Sequence, residues 1–204
     1  MQEILSWASW LDGWKSGARL CARSVPRALV VSSVCWLVAC GPGYSVVRSD
    51  TGVSVSATTR FVVLPTSFQN ASMYGRSFEE WREFQTAEQA GRWQESVELF
   101  EARFDARVAD CDAAAGAGRG NELDAGSHGV RVRITELSRF AARGFLHGTI
   151  QLLRPDGRVF DEIYIEIEIS GSFNDRVTMR NGGGDFADRL CTRLEERARS
   201  DGER

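Results

Sequence analysis

The chain has 204 residues, 43% apolar and 26% charged, with a formal net charge of −3. That profile belongs to a folded protein of about one domain and excludes a disordered tail, a collagen and a polytopic membrane protein. The first 39 residues carry Lys15, Arg19, Arg23 and Arg27 against Glu3 and Asp12, so the remainder is acidic. An acidic remainder lacks the basic footprint that phosphate backbones require, and no nucleic acid is expected as a partner.

Residues 28–39, Ala-Leu-Val-Val-Ser-Ser-Val-Cys-Trp-Leu-Val-Ala, carry no charge and follow three spaced arginines. A bilayer-spanning helix needs about 20 apolar residues, so this run is too short to span and has the length of a signal-peptide core. It ends in Leu37-Val38-Ala39-Cys40-Gly41, which resembles the lipobox of bacterial lipoproteins. In that family the cysteine thiol receives a diacylglyceryl group, cleavage occurs just before it, and the new amino terminus is acylated. The resemblance implies that residues 1–39 are a signal peptide, that Cys40 is the lipid attachment site, and that the chain meets a membrane through an N-terminal lipid anchor. Gly41 stands where Asp tends to mark inner-membrane retention in enterobacterial members. The same resemblance therefore implies the periplasmic leaflet of the outer membrane, with the inner membrane as the alternative. The stretch before the apolar run is long for this family: either the true start lies downstream or the extension is real. Of the six tryptophans, Trp81 and Trp93 alone follow Cys40.

Residues 40–59 read as a lipidated Gly-Pro-Gly tether followed by short edge strands at 44–48 and 52–58, and residues 60–204 as a single α/β domain. Arg60-Phe-Val-Val-Leu-Pro65 has the form of a buried strand closed by proline. Ser77-Phe-Glu-Glu80 is a capping box that starts a helix at Phe78. Trp93, Val97, Phe100, Phe104, Val108 and Cys111 recur at spacings of three and four, which puts them on one helical face packed on a sheet. Gly91 is expected to divide this segment into two helices. Asp105, Asp110 and Asp112 lack the glycine turn and bidentate glutamate of a calcium loop and read as a solvated helix end.

Residues 113–129 are rich in Ala and Gly, without periodicity, and read as a loop. Three strands follow. Val130, Val132 and Ile134 alternate with polar residues, Phe145 to Leu153 forms a second run, and Ile163, Ile165, Ile167 and Ile169 alternate with Glu162, Tyr164, Glu166 and Glu168. A period of two is the mark of a sheet with one buried and one wet face. Pro155-Asp156-Gly157 supplies the turn between the second and third strands. The glutamate row is read as a salt ladder facing Arg131 and Arg133 across the sheet rather than as a metal site, since no histidine lies near it in sequence. Asn181-Gly-Gly-Gly-Asp185 precedes a last helix bearing Phe186, Leu190 and Leu194. Asp185 is expected as its N-cap, where its charge would oppose a phosphate held by the glycine amides. The fold class is α+β: an antiparallel or mixed sheet of about four to five strands with helices packed on one face, preceded by the signal peptide.

Catalytic chemistry has little to stand on. The two histidines, His128 and His147, lie in a glycine-rich loop and a strand, and no G-x-S-x-G, H-E-x-x-H or C-x-x-C occurs. No catalytic residue, metal or cofactor is expected. Cys111 and Cys191 are the thiols left after Cys40 once the signal peptide is removed. If their helices share a sheet face they meet, and a bridge closing so long a loop would contribute about 4 to 5 kcal/mol in the chain-entropy account. A buried cysteine acting as a small apolar residue is the competing reading.

The Val62-Val63-Leu64-Pro65 strand, the helices, and the segment Gly144 to Asp161 with its Asp156-Gly157 turn resemble small bacterial lipoproteins related to curli-assembly and Tol-type amino-terminal domains. A helix on a curved antiparallel sheet of the cystatin kind is the alternative fold. The expected role is a non-enzymatic envelope lipoprotein, an interaction or assembly accessory with an envelope protein partner. The alternative is a lipid-anchored ligand-binding module or hydrolase, which requires a pocket with convergent polar groups.

Overall fold

The computed structural model describes residues 43–202, apart from 57, 115, 172 and 173. Cys40 and the signal segment lie outside the described residues. The described strands are β1 (Tyr44–Ser49), β2 (Phe61–Val63), β3 (Ser72–Met73), β4 (Arg76–Ser77), β5 (Gly118–Arg119), β6 (His128–Phe140), β7 (Arg143–Leu153) and β8 (Val159–Ser170). The described α-helices are α1 (Phe78–Glu83), α2 (Ala87–Ala109) and α3 (Asp175–Gly202), with a 3-10 turn at Asp112–Ala114.

All eight strands join one mixed sheet in the order β1-β8-β7-β6-β2-β5, with β3 and β4 attached beside the far end of β6. The sheet is wider than the expected four to five strands because β3, β4 and β5 are two-residue strands without a period to read. Its body is the antiparallel meander β6-β7-β8, while β2 pairs parallel to both β6 and β5. The turn at Pro155-Asp156-Gly157 forms as expected, with Gly157 at φ 79° and its N–H donating to Arg154 O. Tyr44–Ser49 is an edge strand on β8, but residues 51–56 form a turn and irregular chain rather than the second expected strand.

One face of the meander is apolar. Val130, Val132, Ile134, Leu146, Ile150, Ile163, Ile165, Ile167 and Ile169 are all buried there, together with Phe100, Phe104 and Val108 of α2 and Phe186, Leu190 and Leu194 of α3. The aromatic stripe of α2 therefore faces the core, with Trp93 and Val97 partly buried at its start.

The helices depart from expectation at three points. The Ser77 box forms, with Glu80 N donating to Ser77 Oγ at 3.2 Å and Ser77 N to Glu80 Oε2 at 3.1 Å. The break before α2, however, falls at residues 84–86 and not at Gly91, because Thr86 and Gln89 form a second capping box. Gly91 lies inside α2. Asp185 is not an N-cap: α3 begins ten residues earlier, at Asp175, where Asn174 Oδ1 accepts from Val177 N at 3.0 Å. The three glycines sit inside α3, and the reason is tertiary. A Cβ on Gly183 would lie 2.3 Å from the backbone oxygen of Phe100, so glycine is what lets α3 lie directly on α2.

Residues 112–119 are organised rather than a plain loop. Arg119 of β5 pairs with Glu101 at 2.9 Å and Asp105 at 2.6 Å, so Asp105 is an anchor and not a merely solvated carboxylate. A buried ionic group ties α3 to the other edge. Asp161 of β8, 1% exposed, meets Arg193 at 2.8 Å and Arg197 at 3.4 Å, and both guanidiniums also donate to Ser49 Oγ of β1.

Candidate functional site

The glutamate row of β8 lies on the open face of the meander, but the expected ladder with Arg131 and Arg133 is not formed. β7 stands between β6 and β8, so the cross-sheet rows read Arg131–Gln151–Glu162, Arg133–Thr149–Tyr164 and Glu136–His147–Glu166. Gln151 Nε2 donates to Glu162 Oε1 at 3.0 Å, and Arg143, at the start of β7, pairs with Glu168 at 3.0 Å.

The third row brings a histidine to the glutamates that sequence spacing does not show. A bulge in β6 between Ile134 and Glu136 shifts the register and sets Glu136 opposite His147. His147 Nδ1 lies 3.4 Å from Glu136 Oε2 and Nε2 lies 3.6 Å from Glu166 Oε1, with the ring 17% exposed. The Tyr164 ring stands edge-on to it at 6.3 Å, its phenol held above the ordinary range by burial and by the charges of Glu166 and Glu136. Each ring nitrogen faces a carboxylate, and the cross-strand partners of His147 are Glu136 and Glu166. The two carboxylates flank opposite sides of the ring. Among the described residues no group of three His, Cys, Asp or Glu side chains is placed to hold a metal ion.

A cavity of about 540 Å³ opens between the end of α1, the starts of α2 and α3 and the end of β6, lined by Trp81, Trp93, Gln85, Arg139 and Asp175 among others. The two indoles meet edge-to-face at 5.1 Å. Asp175 accepts a hydrogen bond from the Tyr74 hydroxyl and lies 3.6 Å from Arg139. Burial, then the bond to Asp175, keeps the Tyr74 phenol protonated well above its usual range. Aromatic walls with a few fixed polar groups suit a small molecule with a flat apolar face and polar edges. His147 does not line this cavity; the sequence pattern places Trp93 on the apolar stripe of α2 as a packing residue and gives Trp81 no role.

Cys111 follows the end of α2 and is buried, and Cys191 lies on α3. Both are free thiols, near enough for each to shift the other's proton affinity. His128, the other histidine, lies at the start of β6 against the rings of Phe61 and Phe160.

No protein family matches the chain, and no curated protein matches it. Among solved structures, the chain is similar to the dodecamer of a PelC point variant from Paraburkholderia phytofirmans, with 7% identity over 72% of this chain and 95% of that one, and a TM-score of 0.39. The PelC dodecamer of the same organism in a second crystal form has 9% identity, covers 67% and 92%, and has a TM-score of 0.37. A crystal structure of an uncharacterized protein has 9% identity, covers 72% and 98%, and has a TM-score of 0.42. The similarity is distant.

Proposed function

We propose that this chain is an envelope lipoprotein that acts as an interaction or assembly accessory and not as an enzyme, anchored through Cys40 in the periplasmic leaflet of the outer membrane. The observation that carries the reading is the short distance in sequence between the lipobox and the sheet: three residues separate Cys40 from β1, an edge strand paired on one side only. A lipid on Cys40 would hold that edge close to the bilayer. Val46 and Val47 on this strand are 48% and 60% exposed, and an open strand edge with apolar side chains is a template for adding a partner's strand. No helix among the described residues is long and apolar enough to cross a membrane.

Mass spectrometry of the protein from its native membrane tests the anchor. The expected result is an acylated Cys40 peptide and no peptide from residues 1–39, and an intact chain with unmodified Cys40 overturns it. Replacing Val46 and Val47 by Glu tests the edge: cross-linking from β1 to an envelope protein should be lost while the lipidated chain stays folded. The cavity at Trp81 and Trp93 favours a second reading, a lipid-anchored ligand-binding module. Quenching of the fluorescence of these two tryptophans by a small molecule, abolished by Trp93→Ala, would favour it over the first.

A further inference from the structure

The two cysteines are brought together by how the helices pack. α2 and α3 run parallel: Phe100 meets Gly183, Arg107 pairs with Asp188 at 2.9 Å, and one turn further on Cys111 meets Cys191. The offset is 83, 81 and then 80 residues, so the approach continues the line of the α2–α3 interface just past the C-cap of α2 at Asp110. Each thiol sits against the main apolar cluster, Cys111 within it and Cys191 partly buried on it. Cys191 is held on α3 and Cys111 between the end of α2 and the 3-10 turn, and a disulfide requires two such positions within about 7 Å of each other at Cα.

We propose that Cys111 and Cys191 form a disulfide in the exported protein, clamping the end of α2 and the 3-10 turn onto α3. The site is asymmetric. The neighbouring Cys191 thiol and the backbone N–H groups of Ala113 and Ala114 favour the Cys111 thiolate and hold it below the usual thiol range. The neighbouring Cys111, followed by burial, pushes the Cys191 thiol up. One of the two thiols releases its proton to solvent and attacks one sulfur of an incoming disulfide, carried by a thiol–disulfide oxidoreductase or a small dissolved disulfide, expelling the other sulfur as thiolate. The second cysteine then gives up its proton, attacks the first cysteine's sulfur in the mixed disulfide and expels the remaining oxidant sulfur. Two protein thiols and one disulfide become one protein disulfide and two thiols, and two electrons pass to the oxidant.

The proposal rests on the export reading only for its oxidant, and the test separates the two. The full chain is taken from native membranes, denatured without reduction and alkylated. The expected result is a linked Cys111–Cys191 peptide pair, lighter by two hydrogens than the free thiols, with neither residue alkylated. In Cys191→Ser, Cys111 should become fully alkylated, and thermal unfolding should shift down relative to the parent only when the parent is unreduced. Alkylation of both cysteines that persists after incubation with oxidised glutathione overturns the proposal. Alkylation in the native sample that gives way to a complete bridge with oxidised glutathione supports the pairing and overturns export, as does recovery of peptides containing Cys21 and Cys35.

Discussion

The two faces of β6, β7 and β8 are made of alternate residues of the same strands, yet different physics holds them. Toward α2 and α3 lies a column of isoleucines and valines, each at most 7% exposed, whose contribution is non-directional burial. Toward the other side lie Arg131, Gln151, Glu162, His147 and the glutamates, a polar row in which Gln151 and His147 are largely shielded while Glu166 stays 66% exposed. The lesson lies in where charge is allowed. On the covered side Asp161 is accompanied by two arginines that satisfy it, whereas on the other face His147, its Nε2 shielded from water, lies between two carboxylates without a close hydrogen bond. The buried carboxylate is matched at hydrogen-bond distance; the imidazole is not.

Asp161→Ala is the most direct way to break this contrast. It leaves Arg193 and Arg197, 12% and 6% exposed, without the Asp161 carboxylate, Arg197 over the Phe160 ring and Arg193 with the Glu196 carboxylate at 3.4 Å, and should cost about 3 to 5 kcal/mol in denaturant unfolding. Replacing Asp161, Arg193 and Arg197 together by apolar residues should recover much of that loss. A single variant that loses less than about 1 kcal/mol would show that the arginines reach water on their own. Ile165→Ala removes burial alone from the same strand and should cost about 2 to 5 kcal/mol, since Ile165 is fully buried under α3. A cost under about 1 kcal/mol would mean the covered face is assigned wrongly.

Gly183→Ala tests the helical layer over that face. The added methyl would sit 2.3 Å from the Phe100 backbone, which no side-chain rotation relieves, so α2 and α3 must separate. The expected loss is about 1 to 3 kcal/mol, despite alanine's higher helix propensity. Gly91→Ala, in open space on α2, should stabilise instead. Opposite signs at two glycines inside helices would confirm that one is a packing notch and the other an ordinary exposed site.

These glycines also show what can be read without coordinates. The Ser77 capping box, the isoleucine period of β8 and the turn at Asp156-Gly157 are local signals, and each forms where the residues indicate. The Thr86 box is equally local but is overshadowed by Gly91, which reads as a helix breaker. The need for Gly183 lies in a contact 83 residues away, invisible to any window on the sequence. The pairing of His147 with Glu136 depends on a one-residue bulge, and a period of two carries no information about where such a slip occurs.

A smaller effect distinguishes the histidines. Burial beside Phe61 and Phe160, and then the charge of Arg154, hold His128 below its ordinary value of 6.5. On acidification the unfolded chain takes the proton first, so the stability His128 contributes is complete above about pH 6.5 and is lost as the pH falls toward the folded-state value. Between about pH 7.5 and 5.5, the parent should lose more stability in urea than His128→Phe, by no more than about 1.4 kcal/mol per pH unit. Parallel pH profiles would show that the imidazole is solvated in the folded protein.

The least expected effect is the sharpest statement about the open face. Glu166 is 66% exposed and stands 3.6 Å from His147, a separation too long for a strong hydrogen bond and open to screening by salt. Glu166→Ala should therefore change unfolding free energy by no more than about 0.5 kcal/mol, as surface substitutions generally do. Glu166 and Ile165 are adjacent in sequence and paired with adjacent residues of β7, so local propensity and sheet position are nearly the same for both. Any difference between the two alanine variants is a difference between faces. If Glu166→Ala proved as costly as Ile165→Ala, the open face would have to be covered in the folded protein, and the carboxylate would be a buried partner of His147 rather than a hydrated neighbour.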